Sequence, residues 1–243
     1  MPAGADLTLA LELADVADAL SLPRFRAADL RLETKPDSTP VTDADRTVER
    51  ALRERIAAER PGDGVLGEEE GDDGGAVRWI VDPVDGTRNF SRGIPVWATL
   101  IALEREGVLT VGVVSAPALG RRWWAAQGAG AFAGGEPIHV SAVNALRDAA
   151  VSCSQARDLA ALEPHLWHAR GLGDFWQHML VAEGALDAAV DAPLALYDYA
   201  AVAVIVEEAG GRVSRRDGGT PRPGETVVSS NGLVHDAVLR ALR

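Results

Sequence analysis

Trp79-Ile80-Val81-Asp82-Pro83-Val84-Asp85-Gly86-Thr87-Arg88-Asn89-Phe90 opens as a short apolar run, the pattern of a buried strand, and then breaks at a proline. Pro83 supplies no N–H and biases Asp82 towards an extended backbone, which predicts Asp82 at the last position of the strand. Asp85 follows, and Gly86 allows a turn that leaves backbone N–H groups bare before the next element. Two carboxylates at one strand end, the Val84 carbonyl between them and a Gly86-Thr87 nest beside them offer oxygen ligands for a Mg²⁺-like cation and N–H donors for a phosphate. On these residues alone a polar turn is the simpler reading, because Asp, Pro and Gly are the commonest turn formers.

Two other segments change that balance. Gly67-Glu68-Glu69 closes the apolar run Val65-Leu66. Leu196-Tyr197-Asp198-Tyr199-Ala200-Ala201 opens a strongly apolar helix that ends Val206-Glu207-Glu208-Ala209-Gly210-Gly211. In this order the three segments resemble the inositol monophosphatase family of Mg²⁺-dependent phosphomonoesterases, which carries a Gly-Glu-Glu, an Asp-Pro-x-Asp-Gly-Thr and an Asp-x-Ala-Ala helix. The resemblance runs over nearly the whole chain. It implies an α+β fold, the layered αβαβα sandwich of the sugar-phosphatase type, and a homodimer.

The 243 residues suffice for one large domain or two modest ones. A formal net charge of −12 offers no basic face to a phosphate backbone and argues against nucleic acid as a partner. No apolar run is long enough to span a bilayer, and Asp6, Glu12, Asp15 and Asp18 interrupt any signal-peptide core. One cysteine, Cys153, excludes an intramolecular disulfide and reads as a small buried core residue of a reducing compartment. The expected location is cytoplasmic.

Residues 7–20 place apolar side chains at helical spacing, and Pro23 stops them. Residues 31–41 are polar with two prolines and predict an extended connection or weak hairpin, and a second helix runs from Thr42 to Arg60. Residues 71–76 read as a mobile glycine-rich link. Strands are expected over 96–104, 108–114 and 121–126; Trp123 and Trp124 are adjacent, so one should face the core and the other turn outward to an interface or lid. We expect an N-terminal α+β half, residues 1–144, with helices on an antiparallel sheet and the Asp82 motif, and a C-terminal α/β half, residues 145–243, that supplies Asp198. In the second half, helices are expected over about 159–170, about 175–184 and 199–209, strands over about 186–190 and at Val227-Val228, and a final helix from Leu233. Trp176 and His178 read as packing residues.

Should Glu68, Asp82, Asp85 and Asp198 converge, their repulsion requires raised pKa values or bound cations. No two of the five histidines have metal-ligand spacing, which disfavours zinc and favours Mg²⁺, with Mn²⁺ as a substitute. By itself Asp198 reads as a helix cap, and only the resemblance brings it to Asp82. Asp45, three residues after Thr42, has the spacing of a capping box; the resemblance adds a hydrogen bond to the water network of the metals, and the two roles are compatible. Carried over residue by residue, Glu68, Asp82 and the Val84 carbonyl would hold one ion and Asp82, Asp85 and Asp198 a second. A third would rest on Glu68. The implied reaction is in-line attack by water that Glu68 and Thr87 orient with Asp45 behind them, while Gly86 and Thr87 N–H groups hold the phosphate. A haloacid-dehalogenase mechanism does not fit, since that motif is Asp-x-Asp on an N-terminal strand.

Within the family the surroundings are most similar to the histidinol-phosphate phosphatases. Glu33-Thr34-Lys35-Pro36-Asp37, Asn89-Phe90-Ser91-Arg92-Gly93-Ile94-Pro95-Val96-Trp97 and Gly173-Asp174-Phe175-Trp176 carry this likeness. Asp191 stands where the family keeps a substrate-contacting acid. Asp191 and Asp174 fit the ammonium and imidazole of histidinol phosphate, and fit solvated surface charges equally well. Tyr197, in place of the usual tryptophan, and Ser152-Cys153-Ser154-Gln155 depart from the inositol enzymes. Inositol 1-phosphate, sugar phosphates and phosphonucleotides are the alternative substrates, and a catalytically silent metal- or phosphate-binding regulator is the alternative class.

Overall fold

The computed structural model describes residues 2–36 and 39–243; Asp37 and Ser38, within the extended 31–41 stretch, lie outside them. Helix α1 spans Pro2–Ser21, and the polar stretch after it is a hairpin of β1 (Leu32–Thr34) and β2 (Pro40–Thr42). Thr42 then caps α2 (Asp43–Glu59). An eight-stranded sheet follows from β3 (Gly64–Gly67), β4 (Gly71–Asp72), β5 (Val77–Asp85), β6 (Ala98–Arg105), β7 (Val108–Ala116), β8 (Arg121–Ala126), β9 (Ala131–Ala133) and β10 (Glu136–Ile138), with α3 (Thr87–Arg92) between β5 and β6. Only β3 and β5 pair in parallel within it. The second sheet has five strands: β11 (Ala150–Cys153), β12 (His168–Arg170), β13 (Ala188–Leu194), β14 (Arg212–Arg215) and β15 (Glu225–Ser230), in the order β12-β11-β13-β15-β14. Its helices are α4 (Ala156–Leu162), α5 (Asp174–Ala182), α6 (Leu196–Glu208) and α7 (His235–Ala241).

Strand alternation sorts these elements into five layers. On β5, Trp79 and Val81 face one side and pack with Leu13 and Ala17 of α1 and Val48, Leu52 and Ile56 of α2. Ile80 faces the other side, among Phe175 and Met179 of α5 and Val202 to Val206 of α6. The far face of that helix pair meets Ala189 and Val227 of the second sheet, whose opposite face is closed by Leu162 of α4 and Val238 and Leu239 of α7. Helix α6 is buried from Tyr199 to Val206 because it lies between two sheets, which is why its sequence is apolar all round.

Several local expectations are corrected. Neither tryptophan of the Trp123-Trp124 pair is left outward: the sheet is covered on both faces, so Trp123 packs into the α5/α6 layer and Trp124 into the α1/α2 layer, stacked on Phe132. The 71–76 link contains β4, tied down by Arg53 Nη2 to Gly71 O and by the Arg78–Asp72 ion pair. The expected 159–170 helix ends at Leu162, and His168–Arg170 is an edge strand instead, because Pro164 ends the helical hydrogen bonding. Cys153 is buried, and burial pushes its thiol up to about 12.

Candidate active site

Asp82 is not the end of its strand. Pairing of β5 with β6 runs Asp82↔Leu100 and then Asp85↔Ala98, so Pro83 and Val84 together oppose Thr99 alone. Without that extra residue, carboxylates three positions apart would point to opposite faces of the sheet; the bulge returns Asp85 to the side of Asp82. Asp82 shares the face of Ile80, the side on which α6 begins. The bulge is held by Thr99 Oγ1 donating to Pro83 O (2.8 Å) and Val84 N–H donating to Asp82 Oδ1 (3.0 Å).

Asp198 in the first turn of α6 accepts the Ala195 N–H (2.6 Å) and still reaches the strand end. Oxygen atoms of Asp82, Asp85 and Asp198 lie within 4.8 Å of one another. Asp45, Glu68 and Glu69 form a second group of three within the same distance. Burial first, then Glu68 and Asp85, hold the Asp82 carboxyl well above its ordinary range. Burial, then Asp174 and Asp198, do the same for Asp85. Asp198 is pushed up to about 7, by burial ahead of Glu68. The donors are oxygen atoms only, and their crowding leaves a charge deficit that a hard divalent cation fits.

Asp45 caps its helix as the spacing suggested, with Thr42 N–H donating to Asp45 Oδ2, and its other oxygen turns towards the strand end. Thr87 Oγ1 lies 3.2 Å from Asp45 Oδ1 and 2.9 Å from Val84 O. One side chain therefore caps α2 and meets Thr87. Gly86 has φ +81°, a left-handed turn into α3 that a side chain would strain. The first turn of α3 stands in the wall of a cleft of about 420 Å³ that Glu68, Asp82, Asp85, Thr87, Asp174 and Asp198 line, with Asp191 also in its wall. A larger cavity of about 820 Å³ adjoins at Gln155, but its acids Asp217 and Glu225 are paired with Arg215.

Asp174 opens α5 with φ +52°, uncommon for a residue other than glycine. Asn89 Nδ2 donates to its Oδ2 (3.1 Å), and the next N–H, of Phe175, donates to Asp85 Oδ2 (2.7 Å). Burial, then the charge of Asp191, raise Asp174 to about 6. Asp191 is 5 % exposed yet held below the usual carboxylate range: burial would raise it, and His178, Ser154 and Gln177 outweigh that. His178 is thus not a plain packing residue, whereas Trp176 packs on Trp123 and Phe175 as expected.

Two contributors were not singled out as site residues in the sequence. Lys35 Nζ sits 2.8 Å from Glu68 Oε1 and 2.5 Å from Glu69 Oε1; burial would lower the ammonium, and the two carboxylates raise it instead. Glu49, fully buried, accepts the N–H groups of Glu69 (2.7 Å) and Glu70 (2.9 Å) and pairs with Arg53. It thereby fixes the turn that carries Glu68, and a Cβ on Gly67 would lie 2.0 Å from Glu49 Oε1. Glu49 follows Asp45 by one helical turn, a spacing that any amphipathic helix shows.

The chain matches the profile of the "Inositol monophosphatase family" over residues 6–243. It is 51 % identical to a histidinol-phosphatase of Mycobacterium tuberculosis, covering 98 % of this chain and 97 % of the relative. It is 48 % identical to a histidinol-phosphatase of Streptomyces coelicolor, with 96 % and 95 % covered. Among solved structures, an IMPase of Thermotoga maritima superposes with a TM-score of 0.89 at 30 % identity over 98 % of this chain and 96 % of that one.

Proposed function

This chain belongs to the inositol monophosphatase family and is a phosphoric monoester hydrolase, and from that premise we propose that it cleaves histidinol phosphate to histidinol and phosphate with the help of Mg²⁺. The observation that carries the substrate is the pair Asp174 and Asp191 in the wall of the cleft that also holds the carboxylate cluster. An ammonium and an imidazole find complementary charge there, whereas inositol brings none. Identity of 51 % to a protein named histidinol-phosphatase, against 30 % to a solved IMPase, supports the same ranking.

Glu68, Asp82 and the Val84 carbonyl would hold one Mg²⁺, and Asp82, Asp85 and Asp198 a second, with Mn²⁺ an adequate substitute. A third site would rest on Glu68. When bound, such ions neutralise the ester oxygens and acidify water. The remaining steps belong to the chain. Glu68 and Thr87 orient the attacking water, and Asp45 fixes Thr87. N–H groups of Gly86 and Thr87 hold the phosphate oxygens, and the alcohol departs between Asp174 and Asp191. The reaction fits histidine biosynthesis in the cytoplasm, carried out by a homodimer. Among the described residues no helix is long and apolar enough to cross a membrane.

Phosphate release from histidinol phosphate, inositol 1-phosphate and glycerol 2-phosphate, with Mg²⁺ and with chelator, tests this reading. We expect Mg²⁺-dependent release with histidinol phosphate preferred. Equal cleavage of inositol 1-phosphate would overturn the substrate assignment, and no release from any ester would favour a regulator.

A further inference from the structure

Helix α5 buries two polar side chains that the apolar layer around it does not require. Gln177 and His178 are essentially inaccessible, between core residues Phe175, Met179 and Val181 of the same helix. Neither lines the cleft, but both converge on the rear of a residue that does. Gln177 Nε2 donates to Asp191 Oδ2 (2.8 Å), and His178 Nε2 stands 3.7 Å from that oxygen. His178 Nδ1 is 2.7 Å from Ser229 Oγ. Gln177 Oε1 and His178 Nε2 make no close hydrogen bond of their own. Buried polar groups with unmet capacity are costly, so their retention calls for a compensating role.

A lone pair on Nε2 would repel a carboxylate, so Nε2 carries a proton, while Nδ1 meets the Ser229 hydroxyl. Ser229 is fully buried, which excludes it as a nucleophile; its hydroxyl serves to orient the ring. The line Ser229–His178–Asp191 therefore runs from the second sheet, through α5, to the wall of the cleft.

We infer that His178, assisted by Gln177, is a positioning residue that keeps Asp191 turned into the cleft as a negatively charged receptor, and so makes the enzyme selective for phosphate esters of cationic alcohols. This rests on the substrate reading above. Gln177 holds one carboxylate oxygen from behind by a hydrogen bond and the His178 ring edge faces the same oxygen at 3.7 Å, which restricts rotation of Asp191 and sets the direction in which a cation can approach. A carboxylate so held discriminates by charge without touching the reacting phosphate, so its effect appears in substrate binding and not in the chemical step.

Steady-state kinetics on the Mg²⁺-loaded enzyme, with histidinol phosphate and glycerol 2-phosphate compared in each variant, tests the inference. In His178→Phe, KM for histidinol phosphate should rise about tenfold with kcat nearly unchanged, and KM for glycerol 2-phosphate should stay within about twofold. His178→Gln, which restores a donor, should recover most of the loss. The ¹⁵N spectrum of the wild-type enzyme should show His178 protonated at Nε2. Equal losses on both substrates, no difference between the two variants, or an Nδ1–H tautomer would each overturn the inference. Should His178→Phe fail to fold, Ser229→Ala, which removes only the orienting hydroxyl, must still weaken histidinol phosphate selectively. A wild-type enzyme without preference for histidinol phosphate would defeat the substrate reading itself, and this inference with it; a preference that survives in His178→Phe defeats the inference alone.

Discussion

Asp82 and Asp191 are two carboxylates of one cleft, 2 % and 5 % exposed, and their environments push them in opposite directions. Asp82 is held well above the ordinary range by burial and by the charges of Glu68, Asp85 and Asp198. Asp191 is held below it because His178, Ser154 and Gln177 outweigh the same burial. Burial alone therefore does not decide the state of an acid; the partners that accompany it do. One wall of the cleft crowds its carboxylates until their charge is costly, and the other keeps a single carboxylate charged by hydrogen bonding.

The harshest break of this contrast is Asp82→Asn. It removes a carboxylate shared by both proposed ion sites, and Mg²⁺-dependent phosphate release should fall on the order of a thousandfold. Asp191→Asn should act on the other wall alone. KM for histidinol phosphate is expected to rise roughly thirtyfold while glycerol 2-phosphate is little affected, which parallel kinetics on the two esters will reveal.

Glu49 sharpens the comparison from behind the cation wall. Glu49→Gln keeps the shape but turns one of the two acceptor oxygens into an NH2, so the bond from either the Glu69 or the Glu70 N–H is lost. Divalent-ion affinity, measured directly by Mn²⁺ titration, should drop about tenfold with substrate KM unchanged. A larger effect on KM than on ion affinity would contradict the role assigned to this residue.

The smallest effect is thermal. Asp198 rises from 3.8 to about 7 on folding, so the stability it contributes is complete below its unfolded value and disappears as pH climbs through the folded one. Mg²⁺ bound at the proposed site would replace that proton. Its stabilisation should therefore be larger near pH 8 than near pH 5.5, by about 5 °C in Tm under saturating Mg²⁺. Differential scanning calorimetry with and without chelator is the check, and equal shifts at both pH values would show that protons and cations do not compete there.

Much of the cation wall could be read from the chain because its chemistry is local. Asp82, Val84, Asp85, Gly86 and Thr87 are consecutive or nearly so, and a proline and a glycine mark the turn between strand and helix. The strand's extent was misjudged for the same reason the site works: a bulge carries β5 on to Asp85, and bulges need a partner strand that no single segment reveals. One tryptophan of the Trp123-Trp124 pair was expected outside because period-two alternation tells which residues share a face, not whether the second face is covered.

The sequence by itself determined the residue types, the order of the motifs, the buried character of α6 and the capping of α2, all of which follow from contacts within a few residues. Only the tertiary structure decided that Asp198 stands beside Asp82, that Lys35 bridges Glu68 and Glu69, and that Gln177 and His178 support Asp191. Those pairings join elements remote in the chain across stacked layers. Their geometry is set by how whole sheets and helices pack, which no local pattern encodes.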